Sequence, residues 1–147
     1  MFHKSDAKLD LLGQVSLFSA CSKDELKALA KITTRIDVPR GKELCREGDI
    51  GHDCFIVVDG EAQVTINGEE IDTIGAGGFF GEMALLDGGP RVATVAAVTD
   101  MRLLVLTRPE FRTLLADMPS VSQKLLTAVG ARLRQAHELL HPRRVGA

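Results

Sequence analysis

The stretch CFIVVDGEAQVTING, residues 54–68, decides the fold. Each of its two short apolar runs is followed by a turn pair, first Asp59-Gly60 and then Asn67-Gly68. Asp-Gly and Asn-Gly between apolar runs are strong β-hairpin signals, because these residues tolerate positive φ. The stretch therefore predicts short strands joined by two hairpin turns.

The residues around this stretch repeat the pattern of short apolar runs and tight turns. Eleven of the fourteen glycines lie between Gly41 and Gly89, whereas the flanks are nearly free of them. Many short strands with regular turns favour an antiparallel roll or barrel. We predict a mainly β fold, a jelly-roll-like β-roll (double-stranded β-helix), over about residues 34–107. Its further strands are expected at residues 36–38, 92–98 and 101–106.

Helices are predicted on both sides of the β-roll. Ser22 and Glu25 form a capping-box pattern ahead of an apolar run with helical spacing, and Thr107 and Glu110 repeat the pattern. The predicted N-terminal helices lie within about residues 5–33, with a shorter helix at residues 9–18. The C-terminal helices lie within about residues 108–141, and residues 1–147 are predicted to form one domain.

A long helix is predicted to begin at Pro119 and to extend to His141. Apolar residues recur along it with the spacing of a coiled-coil seam. Such a stripe fits a homodimer interface through this helix, and it fits packing against the chain's own β-roll equally well. The stripe consists of Leu126, Val129, Leu133, Ala136 and Leu140.

Composition excludes several classes of protein. The 147 residues carry 18 basic and 20 acidic side chains and a net charge of −2, which is not the basic footprint of a nucleic-acid-binding domain. No apolar run is long enough for a membrane span, and the polar N-terminus has no signal-peptide core. Three scattered cysteines, Cys21, Cys45 and Cys54, fit a reducing compartment. We therefore expect a cytoplasmic protein with no membrane partner.

Residues 75–95 carry the candidate binding chemistry. A glycine-rich approach leads into a short helix-forming run at Glu82, and the first amides of a helix are donors for an anion. Gly81 would let a ligand approach the backbone closely. The Glu82 carboxylate would accept hydrogen bonds from a sugar hydroxyl, and the Arg91 guanidinium would bind a phosphate. Together these groups match the needs of a ribose phosphate.

This segment resembles the phosphate-binding cassette of the cyclic nucleotide-binding domain family, which includes the catabolite activator and the regulatory subunit of protein kinase A. The segments FGEMALL, residues 80–86, and PRVATV, residues 90–95, match the cassette pattern at nearly every position. The cassette as a whole covers residues 79–95. The likeness extends over about residues 12–140 and implies the β-roll fold of this family.

The resemblance implies a role for each matching residue. Glu82 would bind the ribose 2′-hydroxyl and Arg91 would pair with the cyclic phosphate, while Gly81 would permit close approach of the ligand. The phosphate cradle would be completed by the backbone amides of Met83, Ala84 and Val92.

Three positions bear on recognition of the base. Relatives that bind cyclic GMP often carry Thr directly after the arginine, but the residue here is Val92, which has no hydroxyl. The resemblance therefore favours cAMP over cGMP. Arg132 is a candidate to stack on the base from the long helix, and His137 is a candidate to hydrogen-bond it. For both, an ordinary solvated helix side chain is the alternative.

The resemblance implies a sensor that binds cAMP. The sequence has no nucleophile elbow or triad spacing and its four histidines are dispersed, so we expect no catalytic residue, metal or cofactor. The long helix would close over the base, and a separate effector protein would read its movement. The chain ends shortly after His141, so we expect no helix-turn-helix, no direct DNA binding and no output domain of its own. The alternative is a degenerate domain that binds no nucleotide and serves as a protein-interaction or dimerisation module.

Overall fold

The computed structural model describes residues 4–140, which form eight β-strands and five α-helices. The strands are β1 (Thr34–Val38), β2 (Glu43–Cys45), β3 (Asp53–Asp59), β4 (Ala62–Ile66), β5 (Glu69–Ile74), β6 (Phe79–Phe80), β7 (Thr94–Ala97) and β8 (Met101–Thr107). The helices are α1 (Lys4–Gln14), α2 (Lys23–Ile32), α3 (Glu82–Asp87), α4 (Arg108–Asp117) and α5 (Pro119–Leu140).

The strands form two antiparallel sheets of four strands each, in the orders β1-β8-β3-β6 and β2-β7-β4-β5. Within the first sheet, β3 is buried on both faces. Along β3, Phe55 and Val57 belong to the core between the sheets, whereas Cys54 and Ile56 belong to the core under the helices. Burial on both faces explains why β3 is a continuous apolar run rather than an alternating one. The predicted β-roll with flanking helices is confirmed.

The hairpin predicted at Asn67-Gly68 is present. Asn67 and Gly68 have φ values of 52° and 80°, and β4 pairs directly with β5, with Ile66 opposite Glu69. Positive φ at both central residues matches the twist of the flanking strands. This turn places β5 at the edge of the second sheet.

The hairpin predicted at Asp59-Gly60 is wrong. The strand before it, β3, pairs with β6 and β8, so neither of its edges is open to the following strand, β4. The chain instead crosses from the first sheet to the second. Only Gly60 of the pair has positive φ, 96°, and a Cβ there would lie 2.4 Å from the carbonyl oxygen of Asp100. Gly60 therefore lies at a crowded point where the chain crosses between the two sheets, and not in a two-residue hairpin.

Two element boundaries also differ from prediction. The helix expected at residues 9–18 is the end of α1, which stops at Gln14 and is followed by a separate 3-10 turn at Ser16–Phe18. The strand expected from residue 92 begins at Thr94. Residues 92–93 are irregular because the main chain just before them forms hydrogen bonds with the loop after β2 rather than with a strand.

Both predicted capping boxes are present. The Glu25 amide donates to the Ser22 hydroxyl at 3.1 Å, and the Ser22 amide donates to the Glu25 carboxylate at 2.9 Å. The Thr107 amide donates in the same way to the Glu110 carboxylate, at 2.9 Å. Paired first-turn amides fix where α2 and α4 begin.

The apolar stripe of α5 is divided between two environments. Val129 packs against the core, whereas Leu126 and Leu133 are 63% and 64% exposed. The side chains of Ala136 and Leu140 lie outside the described residues, as does His141, where the helix was predicted to end. Over residues 4–140, neither α5 nor another helix combines the length and apolar character that a membrane crossing requires.

Candidate functional site

The cassette forms one side of a cavity that is bounded by the second sheet and by α5. At the end of β6, Gly81 takes a φ of 87°, and α3 begins directly after it at Glu82. His137 is exposed on α5 and does not belong to the cavity wall. All other predicted binding residues line the cavity: Gly81, Glu82, Met83, Ala84, Arg91, Val92 and Arg132.

Arg91 is fixed by both its main chain and its side chain. Its amide donates to the Asp49 carbonyl at 2.7 Å, and its carbonyl accepts from the Gly48 amide at 2.9 Å. The guanidinium donates through Nη1 to the Gly81 carbonyl at 3.1 Å and lies 5.9 Å from the centroid of the Phe55 ring. Arg91 is only 9% exposed, and no carboxylate among the described residues forms an ion pair with it. It therefore presents an uncompensated positive charge to the cavity.

Two glycines provide the space that the Arg91 side chain fills. A Cβ at Gly51 would lie 2.7 Å from the Nε and Cζ atoms of Arg91 and equally close to the Cβ of Ala84. A Cβ at Gly81 would lie 2.6 Å from Arg91 Nη1 and 3.1 Å from the carbonyl oxygen of Asp53. Gly51 is thus a positioning residue for Arg91. We did not predict it, because no local pattern links it to a residue so distant in the chain.

The Glu82 carboxylate is paired with Arg132 of α5. Arg132 Nη1 lies 2.5 Å from Glu82 Oε1, and Nη2 donates to the Phe79 carbonyl. The guanidinium also lies over the Phe79 ring, 4.3 Å from its centroid. The role predicted for Arg132, stacking on a base, stays a prediction, and its pairing with Glu82 is a contact that we did not foresee.

The cavity wall contains two further polar side chains that we did not predict, Asp72 of β5 and Gln135 of α5. Asp72 accepts a hydrogen bond from the Thr73 amide at 2.8 Å. Neither residue belongs to a recognisable motif, so only the fold identifies them. The arrangement combines a cation and a hydroxyl acceptor at the cassette with a largely apolar wall, which suits a ligand with an anionic end and a flat, less polar end. The apolar wall includes Val64, Ile66, Ile71, Ile74 and Val95.

The cavity wall also contains a buried thiol. Burial raises the pKa of Cys45, which lines the cavity, to about 11, and it raises the pKa of Cys54, on β3, to about 12. Both thiols are therefore protonated, and poor nucleophiles, at neutral pH. Among residues 4–140, no group of three or more His, Cys, Asp or Glu side chains is placed to hold a metal ion.

The thiols should differ in reactivity. At pH 8 we expect iodoacetamide to modify Cys21, which is partly exposed, well before Cys45 and Cys54, because only a reachable thiolate reacts. Peptide mass spectrometry over a time course measures the three rates. In guanidinium chloride all three should react alike. Equal rates in the folded protein would mean that the β-roll opens far more often than its packing implies.

Comparison with known proteins identifies the family. The family model for the cyclic nucleotide-binding domain matches residues 35–118, more than half of the chain. Over 115 residues the chain is 35% identical to a cyclic nucleotide-gated potassium channel of Rhizobium etli, covering 78% of this chain and 32% of the channel. Over 136 residues it is 28% identical to the CRP-like cAMP-activated global transcriptional regulator of Mycobacterium tuberculosis, covering 89% and 61% of the two chains.

A solved structure agrees with these sequence matches. The cAMP-bound structure of PfPKA-R superposes with a TM-score of 0.83 at 29% identity, covering 92% of this chain and 47% of that one. The chain therefore belongs to the cyclic nucleotide-binding domain family, as the cassette predicted. It spans 32% and 61% of the lengths of the two curated relatives named above.

Proposed function

We propose that this chain is a regulatory sensor that binds cyclic AMP and catalyses no reaction itself. The observation that carries the proposal is Arg91, a buried arginine at the cavity whose charge no described carboxylate balances. Keeping a charge out of water without a partner is costly, so such a site favours an anionic ligand. A cyclic phosphate would supply the missing charge and accept paired hydrogen bonds from the guanidinium.

The neighbouring groups support a nucleotide rather than a bare anion. The Glu82 carboxylate would repel an isolated phosphate, but it is a suitable acceptor for a ribose hydroxyl. The apolar wall of the second sheet suits a purine. Val92, which follows the arginine and lines the cavity, offers no hydroxyl to a guanine amino group. This favours cAMP over cGMP, and relatives named for cAMP and for cyclic nucleotides support the proposal.

In this proposal α5 transmits the signal. It contributes Arg132 and Gln135 to the cavity wall, so a ligand there touches the helix and biases its position. A separate effector protein would then read the position of α5. Three free cysteines fit a cytoplasmic location for such a sensor.

Titration calorimetry tests the proposal. We expect heat on addition of cAMP and weaker binding of cGMP, while 5′-AMP, whose phosphate is not ring-closed, serves as the control. A ligand at about 100 times its dissociation constant should stabilise the fold by about 2.7 kcal/mol. Because the chain has no Trp or Tyr, circular dichroism is the measurement for melting. No heat with either cyclic nucleotide at high micromolar concentration would reject the function.

One observation favours a second candidate function, a dimerisation module built on α5. Leu126 and Leu133 lie two turns apart on this helix and are both largely exposed. Sedimentation analysis of the wild type and of Leu133→Lys tests this candidate. If α5 forms a dimer interface, the wild type should be a dimer and the variant a monomer; if it does not, the two should sediment alike. A pure interaction module has no need for the buried Arg91, and for this reason nucleotide binding is the better-supported function.

A further inference from the structure

The main chain of the phosphate-binding arginine is held by the loop that joins β2 to β3, residues 46–52. In this loop the Gly48 amide donates a hydrogen bond to the Arg91 carbonyl, and the Asp49 carbonyl accepts one from the Arg91 amide. The next residue, Ile50, forms an isolated antiparallel bridge to the cassette. The position of Arg91 in the cavity therefore follows the position of the β2–β3 loop.

A second wall of the cavity is the hairpin of β4 and β5. Its lining residues are Val64, Ile66, Ile71, Asp72 and Ile74. In the sheet, β5 is an edge strand that pairs with β4, and β4 pairs with β7 only from Ala62 to Thr65. Although Ile66 still packs against the core between the sheets, the exposed turn at Asn67-Gly68 projects beyond the part of the hairpin that β7 supports.

Glu47 connects the β2–β3 loop, to which it belongs, with this turn. Its carboxylate oxygen Oε1 accepts a hydrogen bond from the Asn67 amide at 3.0 Å. Its own amide donates to Thr94 Oγ1 at 3.1 Å, and Thr94 is the residue of β7 that pairs with Thr65. One side chain, itself anchored through its main chain, thus joins the hairpin turn to the loop that holds the phosphate-binding arginine.

The geometry indicates that Glu47 acts as a hydrogen-bond acceptor rather than as a charge. Among the described residues it forms no ion pair, and it does not line the cavity. Its negative charge could only repel a bound phosphate, so the loss of this charge alone would strengthen binding. The hydrogen bond has the opposite effect, because it holds the hairpin in place before the ligand arrives and spares the ligand the cost of ordering it.

We propose that Glu47 is a positioning residue for the ligand, whose carboxylate oxygen fixes the β4–β5 turn against the β2–β3 loop and thereby sets the separation between Arg91 and the apolar wall. This inference rests on the proposed function. A nucleotide with its phosphate at Arg91 and its base against the hairpin binds at both ends only when this separation fits. The Asn67 amide is at the surface, where water replaces a lost acceptor, so removing the bond should cost the fold little stability.

The test compares Glu47→Ala with Glu47→Gln by calorimetric titration with cAMP. The alanine variant loses the acceptor, and we expect its dissociation constant to rise about three- to tenfold, the worth of one hydrogen bond. Glutamine keeps the length and the acceptor oxygen but not the charge, and it should bind close to the wild-type value. Glu70→Ala, which removes a carboxylate from the exposed strand β5 outside the cavity wall, should bind as the wild type does.

Two results of the titration would overturn the inference. Binding by Glu47→Ala that is as tight as in the wild type, or tighter, would show that the hydrogen bond does not position the ligand. An equal loss of affinity in Glu47→Ala and Glu47→Gln would show that the charge, and not the acceptor oxygen, is what the ligand depends on.

Hydrogen exchange provides a readout that a general loss of stability would not reproduce. In ligand-free Glu47→Ala, the backbone amides of residues 64–70 should exchange faster than in the wild type and in Glu47→Gln, while those of β3 and β8 stay protected. Saturating cAMP should restore the protection, because the ligand then holds the hairpin. Exchange of residues 64–70 that does not change in Glu47→Ala would contradict the inference. If the wild type binds no cAMP, the proposed function fails and the inference with it; if the wild type binds and Glu47→Ala binds equally well, only the inference fails.

Discussion

Replacing Arg91 with alanine is expected to weaken cAMP binding by about 10- to 150-fold, equivalent to roughly 1.5–3 kcal/mol for hydrogen bonds to a charged group. The loss is expected to be this large because only one other cation is found among the described residues that line the cavity. Arg132, the other arginine of the wall, is engaged by Glu82 and Phe79. Calorimetric titration of the two proteins with cAMP measures the effect.

Two further variants separate the charge of Arg91 from its geometry. Arg91→Lys keeps the charge but loses the planar, paired donors, so it should bind with intermediate affinity. Arg112→Ala removes an exposed arginine of α4 that is not part of the cavity wall, and this variant should bind as the wild type does. If Arg91→Ala keeps its fold by circular dichroism and binds cAMP with unchanged affinity, the phosphate does not bind here.

The two turn pairs indicate how much of the fold the sequence could predict. Asn67-Gly68 forms its hairpin because β4 has a free edge for β5, and local geometry then suffices. Asp59-Gly60 carries a comparable local signal but forms none, because both edges of β3 are already occupied by strands distant in sequence. Turn chemistry predicts where the chain bends. Which strands then pair depends on the whole sheet, which no local pattern contains.

The candidate site also combines features that a local sequence pattern predicts with contacts that only the folded chain creates. Arg91 and Glu82 could be located from the sequence because the cassette brings them together within a short segment, and both line the cavity. Gly51 and Arg132 could not be assigned their contacts in this way. Each acts on a cassette residue some forty to fifty positions away, through a contact that only the closed β-roll and the docked α5 create.

Replacing Gly81 with alanine is expected to lower both the stability of the fold and its affinity for cAMP. Gly81 has a φ of 87°, and an L-residue in the left-handed region costs about 1–2 kcal/mol. The added Cβ would also lie 2.6 Å from Arg91 Nη1 and 3.1 Å from the main-chain oxygen of Asp53. Since the main chain cannot yield easily, the guanidinium must move, and losing its alignment with a phosphate should cost about tenfold in affinity.

Gly41→Ala is the matched control, because Gly41 has a φ of 91° and a Cβ there would meet nothing within 4 Å. It should lose a similar free energy of unfolding from the backbone strain alone, while its dissociation constant for cAMP stays at the wild-type value. Denaturant unfolding followed by circular dichroism gives the first quantity, and calorimetry gives the second. If Gly81→Ala binds cAMP as tightly as Gly41→Ala does, Gly81 does not position Arg91 for the ligand, since displacement of the guanidinium would then have no effect on binding.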